Sequence, residues 1–253
     1  MRDGARRHNP PLFSQIIYSA LTERAGKIDL GIRLATIPLV RQREPAGDFI
    51  WLAVGLCERV TAAMLLALLA PVVLASALLI ALLSRRSPLI AHRRVGWRGA
   101  DLWMIKLRSM WVHREPAPRR SWQWIEYIDG PSGPELKKAC DPRVPNGFAR
   151  FLRRHSIDEI PQFWHVMRGE MSLVGPRPMT AGELREFYGV DAGEILQVKP
   201  GIAGLWQVSG RNQLSYAERR RLDLALVRCR SLRLYAIILL RTVPEVWSGS
   251  DSW

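Results

Sequence analysis

The feature that most constrains this chain is an apolar run. From Val60 to Leu83 the sequence reads VTAAMLLALLAPVVLASALLIALL, 24 residues without a charged side chain. A helix of that length, at 1.5 Å per residue, covers a hydrocarbon layer of about 30 Å. A core helix of a soluble domain would carry a polar stripe, and this run carries none. Membrane association follows. The charged residues that precede the run and its late start argue against a cleaved secretion signal.

Whether the run crosses the bilayer is a separate matter. Arg59 precedes it, with Arg41 and Arg43 further back, and Arg85, Arg86, Arg93 and Arg94 follow it. Basic flanks prefer the cytoplasmic side, so a straight crossing strands one of them on the far side. Pro71, near the middle, removes a backbone hydrogen bond and bends a helix. A helix that dips in and returns to the same face satisfies both observations. A kinked spanning helix is equally compatible, because proline is tolerated in membrane helices.

Charge adds a statement about partners. Across 253 residues, 37 Lys and Arg against 23 Asp and Glu give a net +14. That favours nucleic acid, an acidic membrane surface or phosphorylated substrates. No recognised nucleic-acid motif accompanies the charge, so a nucleic-acid partner is not expected. Cys57, Cys140 and Cys229 are scattered, without the spacing of a disulfide framework or zinc site, which suits a reducing compartment.

The organisation reads as three parts. Residues 1–48 are a basic extension suited to amphipathic helices on the membrane plane. Residues 49–86 hold the membrane helix, and 87–253 hold a compact catalytic domain. After the apolar run, Ser84–Met110 reads as strands and turns. Residues 112–141, rich in Pro and Trp, read as an inserted surface loop. Phe151–Val174 has helical spacing in two pieces, the second opened by Ser156-Ile157-Asp158-Glu159 and closed by Gly169. A Gly175-Pro176-Arg177-Pro178 turn follows, then a polar helix around Thr180–Tyr188. A glycine-punctuated segment spans Lys199–Arg211, and two helical patterns cover Ala217–Val227 and Leu232–Trp247.

Asp158 and Glu159 have an ordinary explanation and a chemical one. Ser156 with Glu159 three residues later matches a helix capping box. Arg150, Arg153, Arg154, Arg168 and Arg177 surround the pair in sequence, however, and guanidinium groups orient phosphates by forked hydrogen bonds. A carboxylate beside a diphosphate can attack phosphorus or hold Mg²⁺. The histidines show no ligand spacing and are not assigned to a metal.

Three blocks carry a resemblance. FLRRHSIDEIPQFWHVMRGEMSLVGPRP (151–178), KPGIAGLWQVSGR (199–211) and IKLRSM (105–110) together resemble the bacterial sugar transferase family, the monotopic phosphoglycosyl transferases. The resemblance implies a helix-rich α/β fold: one re-entrant membrane helix, a cytoplasmic catalytic domain and membrane-surface amphipathic helices. It implies transfer of a sugar 1-phosphate from a UDP-sugar to undecaprenyl phosphate through a covalent aspartyl-phosphosugar, with UMP released, to start exopolysaccharide synthesis. Asp158 would be the nucleophile and Glu159 the Mg²⁺ ligand. Arg153, Arg177, Lys106, Arg108, Lys199, Gln207 and Arg211 would bind substrate. Pro71 would bend the re-entrant helix, which moves the balance towards a dip. The basic flanks Arg85, Arg86, Arg93 and Arg94 would meet anionic lipids at the bacterial inner membrane, and a homodimer is compatible with the chain. The sugar is not legible. Departures from the family pattern fall at Val54-Gly55, Glu58, His92 and Tyr235, and touch neither Asp158, Glu159 nor Arg177.

Overall fold

The computed structural model describes residues 47–111, 123–129, 144, 146–210 and 214–248. The expected amphipathic helices of the first 46 residues, most of the 112–141 insertion, and Arg211 lie outside the described residues.

The apolar run forms part of helix α1, Gly47–Ser84, which continues through Pro71. At 38 residues it is about 57 Å long. Its most apolar 18-residue stretch has a mean hydropathy of 2.8 and only 17% of it is buried, so it is not a soluble core helix. One side of α1 nevertheless packs on the domain. Before Pro71, Ala62 joins Leu102, Met104, Val166 and Met171 in a core cluster. After Pro71, Ala77 and Ile80 join Leu107 and Leu152.

Strands β1 (Leu89–Val95) and β2 (Asp101–Leu107) pair antiparallel, from Leu89↔Leu107 to Val95↔Asp101. Gly99, at φ +82°, takes the left-handed conformation that the tight connection requires. Strand β3, Ile125–Ile128, adds to β1 in parallel, giving the order β2-β1-β3. This strand lies within 112–141, the stretch read from sequence as an inserted surface loop. The Ile-Glu-Tyr-Ile segment is too short to show a period amid its Pro and Trp surroundings. Because side chains alternate across a strand, His92 and Arg94 of β1 share one sheet face with Lys106 of β2, whose partner is Ile90.

Helix α2, Gly147–Arg154, starts at Asn146, whose side chain accepts from Ala149 N at 2.8 Å. A 3₁₀ turn, Ile157–Gln162, leads into α3, Phe163–Met167. Gly169, at φ +75°, ends this piece. Strands β4 (Ser172–Val174) and β5 (Gly201–Ala203) form a parallel pair. Between them lie α4 (Ala181–Glu183), a π-helical turn at Leu184–Tyr188, and α5 (Ala192–Ile195). Helices α6 (Tyr216–Arg228) and α7 (Leu232–Ser248) follow. A Ser215/Glu218 capping box opens α6.

Glu58 ties α1 to the rest. It is 7% exposed, and its Oε1 accepts from Leu173 N at 2.9 Å, from Tyr235 Oη at 2.7 Å and from Ser172 Oγ. Two departures from the family pattern, Glu58 and Tyr235, therefore meet in one hydrogen bond between α1 and α7.

Candidate active site

The dipeptide Asp158-Glu159 does not sit in a capping box. Ser156 makes no side-chain cap bond and lies in the left-handed region, at φ 53° and ψ 24°. A non-glycine residue there is uncommon and costs energy that the surrounding packing must offset. The conformation swings the chain from α2 into the 3₁₀ turn, so Asp158 faces inward and Glu159 is only half-buried.

Asp158 is 8% exposed, and its Oδ2 accepts from Ser109 Oγ at 2.9 Å. Burial pushes its pKa up, and the neighbouring Glu159 adds to the rise. Lys106, the Ser109 hydrogen bond and Arg153 pull the other way. Lys106 itself is held down to about 8, mainly by burial and partly by Arg177 and Arg94, against the attraction of Asp158. A buried carboxylate, a softened ammonium and several guanidinium groups thus share one space. The Arg153 Nε is buried without a hydrogen-bond partner.

Arg177 reaches this space from the turn after β4. Gly175 N donates to Ala203 O at 2.9 Å, and Gly201 N donates to Pro176 O at 2.8 Å. A Cβ at Gly175 would lie 2.8 Å from Gly201 N, so only glycine lets the two segments approach. Arg177 is electrostatically coupled to Arg94, Lys106 and Arg219. No ion pair joins it to a carboxylate among the described residues. The Arg219 guanidinium lies 4.6 Å over the Trp206 ring and 5.1 Å over the Tyr216 ring. Beneath these cations is Asp223, fully buried, which accepts from Tyr188 Oη at 2.7 Å. Burial pushes Asp223 up to about 7.

The residues expected to bind substrate divide. Lys106 and Arg153 lie within electrostatic reach of Asp158, Lys106 also of Glu159, and Arg177 within reach of Lys106. Arg108 instead pairs with Glu126 and donates to Ser87 O at 2.8 Å. The Gln207 side chain donates to Ile202 O at 3.0 Å, closing its own turn. Lys199 lies 5.5 Å from the Trp97 ring centroid and is electrostatically coupled to Arg59, Glu58 and Arg230 rather than to the Asp158 group.

Arg94 does not meet lipid headgroups as its place in the basic flank suggested. It is 9% exposed and pairs with Glu183 at 3.0 Å, because strand alternation turns it inward. His92 lies beside Lys106, Arg94 and Arg108, and burial with these charges lowers it to about 4, so it is neutral at pH 7. His165 is structural. Its Nε2 accepts from Ile105 N at 3.1 Å, and its Nδ1 is 2.6 Å from Glu170 Oε2. Sequence reasoning assigned no role to Ser109, although it stands inside the IKLRSM block. Arg219 and Asp223 carried no motif signal at all.

Among the described residues no group of three or more His, Cys, Asp or Glu could hold a metal by itself. Mg²⁺ takes one or two carboxylates and completes its shell from substrate phosphates and water. Glu159, half-buried beside Asp158, is the carboxylate that could join such a shell.

Residues 51–249 match the family model described as bacterial sugar transferase. The UDP-galactose-lipid carrier transferase of Erwinia amylovora is 38% identical over 170 residues, 63% of this chain and 33% of that protein. The chain thus spans about one third of that relative's length. The exopolysaccharide production protein ExoY of Sinorhizobium fredii is 36% identical over 172 residues, 64% of this chain and 71% of the relative. The UDP-glucose:undecaprenyl-phosphate glucose-1-phosphate transferase of Caulobacter vibrioides is 34% identical over 238 residues, 89% of this chain and 81% of the relative.

Proposed function

Because the chain belongs to the bacterial sugar transferase family, we propose that it transfers a sugar 1-phosphate from a UDP-sugar to polyprenyl phosphate, the opening step of exopolysaccharide synthesis. The observation that carries this reading is the buried Asp158, oriented by Ser109 and faced by Lys106 and Arg153.

Asp158 attacks the β-phosphorus of the UDP-sugar. An O–P bond forms to the carboxylate, the bond to the α-phosphate oxygen breaks, and UMP leaves. The phosphate oxygen of the polyprenyl carrier then attacks the same phosphorus and releases the carboxylate, leaving polyprenyl-diphospho-sugar. Splitting one transfer into two displacements is the rationale for a covalent nucleophile, and it predicts ping-pong kinetics. Lys106, Arg153 and Arg177 neutralise and orient the diphosphate. Ser109 fixes the carboxylate by hydrogen bonding one oxygen. Glu159 would hold Mg²⁺, which when bound supplies positive charge against the phosphate oxygens.

The placement of α1 supports a dip into the bilayer. Its packing on the domain lies on both sides of Pro71, at Ala62 and at Ala77 and Ile80. A helix held at both flanks by one water-facing domain does not leave that domain to traverse 30 Å of hydrocarbon, roughly the bilayer core. Leu68, Val72, Leu74, Leu78 and Leu82 stay exposed for lipid. With its basic flanks the chain would sit on the cytoplasmic face of the bacterial inner membrane. The test is product identity: UDP-sugars with polyprenyl phosphate should release UMP, and release of UDP would mark an ordinary glycosyltransferase and overturn the reading.

A further inference from the structure

Arg219, which no sequence motif marks, sits in a layered set of contacts. Its guanidinium lies 4.6 Å over the Trp206 ring and 5.1 Å over the Tyr216 ring. Tyr216 is in turn stacked on Phe187, with ring centroids 4.0 Å apart and planes 15° from parallel. Arg177 approaches the same Trp206 ring, at 6.0 Å from its centroid. One indole therefore carries two guanidinium groups, although like charges repel. Asp223 offsets that repulsion. It is fully buried, lies within electrostatic reach of both arginines, and is bound at one oxygen by Tyr188 Oη at 2.7 Å. Its burial puts it behind the arginines, which both stay partly exposed.

Three cations lead away from Asp158 in order. Lys106 is within electrostatic reach of Asp158, Arg177 within reach of Lys106, and Arg219 within reach of Arg177. In an in-line displacement at phosphorus the leaving oxygen departs opposite the attacking one. With the Asp158 oxygen on the β-phosphorus, the α-phosphate and nucleoside therefore point away from Asp158. The cations further along the row, Arg177 and then Arg219, are the ones placed to meet that end. Stacking uses the faces of a guanidinium and leaves its N–H donors in the plane, where a phosphate accepts a forked pair. Rings that hold the plane in the empty site reduce the ordering that binding must impose. We propose that Arg219, clamped on Trp206 and Tyr216 beside Asp223, is a further substrate-binding residue that engages the α-phosphate of the nucleotide next to Arg177. The inference rests on the UDP-sugar reading above.

The experiment compares a nucleotide with its nucleoside. The full chain, purified in a neutral detergent with Mg²⁺, is titrated with UMP and with uridine by isothermal calorimetry. Wild type should bind UMP more tightly than uridine. Arg219→Gln should weaken UMP about tenfold or more, by loss of a charge-assisted contact, and leave uridine within about twofold. Arg219→Lys, which keeps the charge and loses the planar fork, should fall between the two. In turnover, Arg219→Gln should raise KM for the UDP-sugar and leave KM for polyprenyl phosphate unchanged. Equal UMP affinity in Arg219→Gln and wild type would overturn the proposal. So would a parallel loss of UMP and uridine, which marks a merely structural arginine, or a rise in KM confined to polyprenyl phosphate. A wild type that binds no UMP and releases none in turnover would instead overturn the UDP-sugar reading, and this inference with it.

Discussion

Glu58 offers the sharpest stability experiment. Its buried Oε1 accepts from Leu173 N, Tyr235 Oη and Ser172 Oγ, joining α1 to β4 and α7. Replacing Glu58 with Ala removes all three bonds and leaves a backbone N–H and two hydroxyls without their acceptor. A hydrogen bond to a charged group contributes about 1.5–3 kcal/mol, and an orphaned buried donor costs about 1–3 kcal/mol. The three bonds share one oxygen and are not additive, so a total of roughly 3–5 kcal/mol is expected. For a domain of this size each kcal/mol moves Tm by about 2–4 °C, giving a drop of roughly 6–20 °C. Glu58→Gln keeps an acceptor oxygen and should lose less. Tyr235→Phe removes one of these bonds and should cost about 1.5–3 kcal/mol, a drop of roughly 3–12 °C. The assay is thermal unfolding of detergent-purified protein at one fixed scan rate, including the double variant. The double variant should fall no further than Glu58→Ala alone. A Glu58→Ala protein melting within a degree of wild type, or full additivity with Tyr235→Phe, would refute the claim that this carboxylate clamps α1.

Ser109→Ala should lower transfer activity about tenfold or more while the fold survives, because it removes the hydroxyl that orients Asp158; Ser109→Thr should retain most activity in a UMP-release assay. His92 makes a pH prediction. Its folded pKa of about 4 lies below the unfolded 6.5, so the unfolded chain binds more protons between these values. Stability is then fully present above pH 6.5 and is lost as pH falls towards 4. The full shift corresponds to about 3 kcal/mol, reduced to roughly 1–2 kcal/mol by screening at this half-exposed site. His92→Gln should flatten that part of the Tm–pH curve, and an unchanged slope would remove His92 as its source.

Much of this was legible in the sequence because the signals were local. The apolar run gave α1, the glycines gave the turns, and the helical pattern of Ala217–Val227 gave α6. The Asp158-Glu159 pair stood out through the motif around it. Less legible was anything decided by strand pairing. Arg93 and Arg94 are adjacent in sequence, yet alternation sends Arg93 to an exposed pairing with Asp101 and Asp129 and Arg94 to a buried pairing with Glu183. Lys199 stands in the same sequence block as Gln207, but the fold places it with Arg230, Arg59 and Glu58 instead. Ser156 looked like a cap because Glu159 follows at the right distance; its left-handed backbone could not be read from residue type. Glu58 on α1 is more than a hundred positions from both Ser172 on β4 and Tyr235 on α7, and only the packed fold brings them to one oxygen.

In the proposed reaction Asp158 becomes covalently linked to a sugar phosphate. Intact-protein mass spectrometry after mixing the enzyme with Mg²⁺ and a UDP-sugar, with no acceptor lipid present, would detect that intermediate. A mass increase of one sugar phosphate is expected, mapped by peptide fragmentation to Asp158, absent from Asp158→Asn, and discharged on adding polyprenyl phosphate. An adduct on another residue, or full transfer activity in Asp158→Asn, would contradict it.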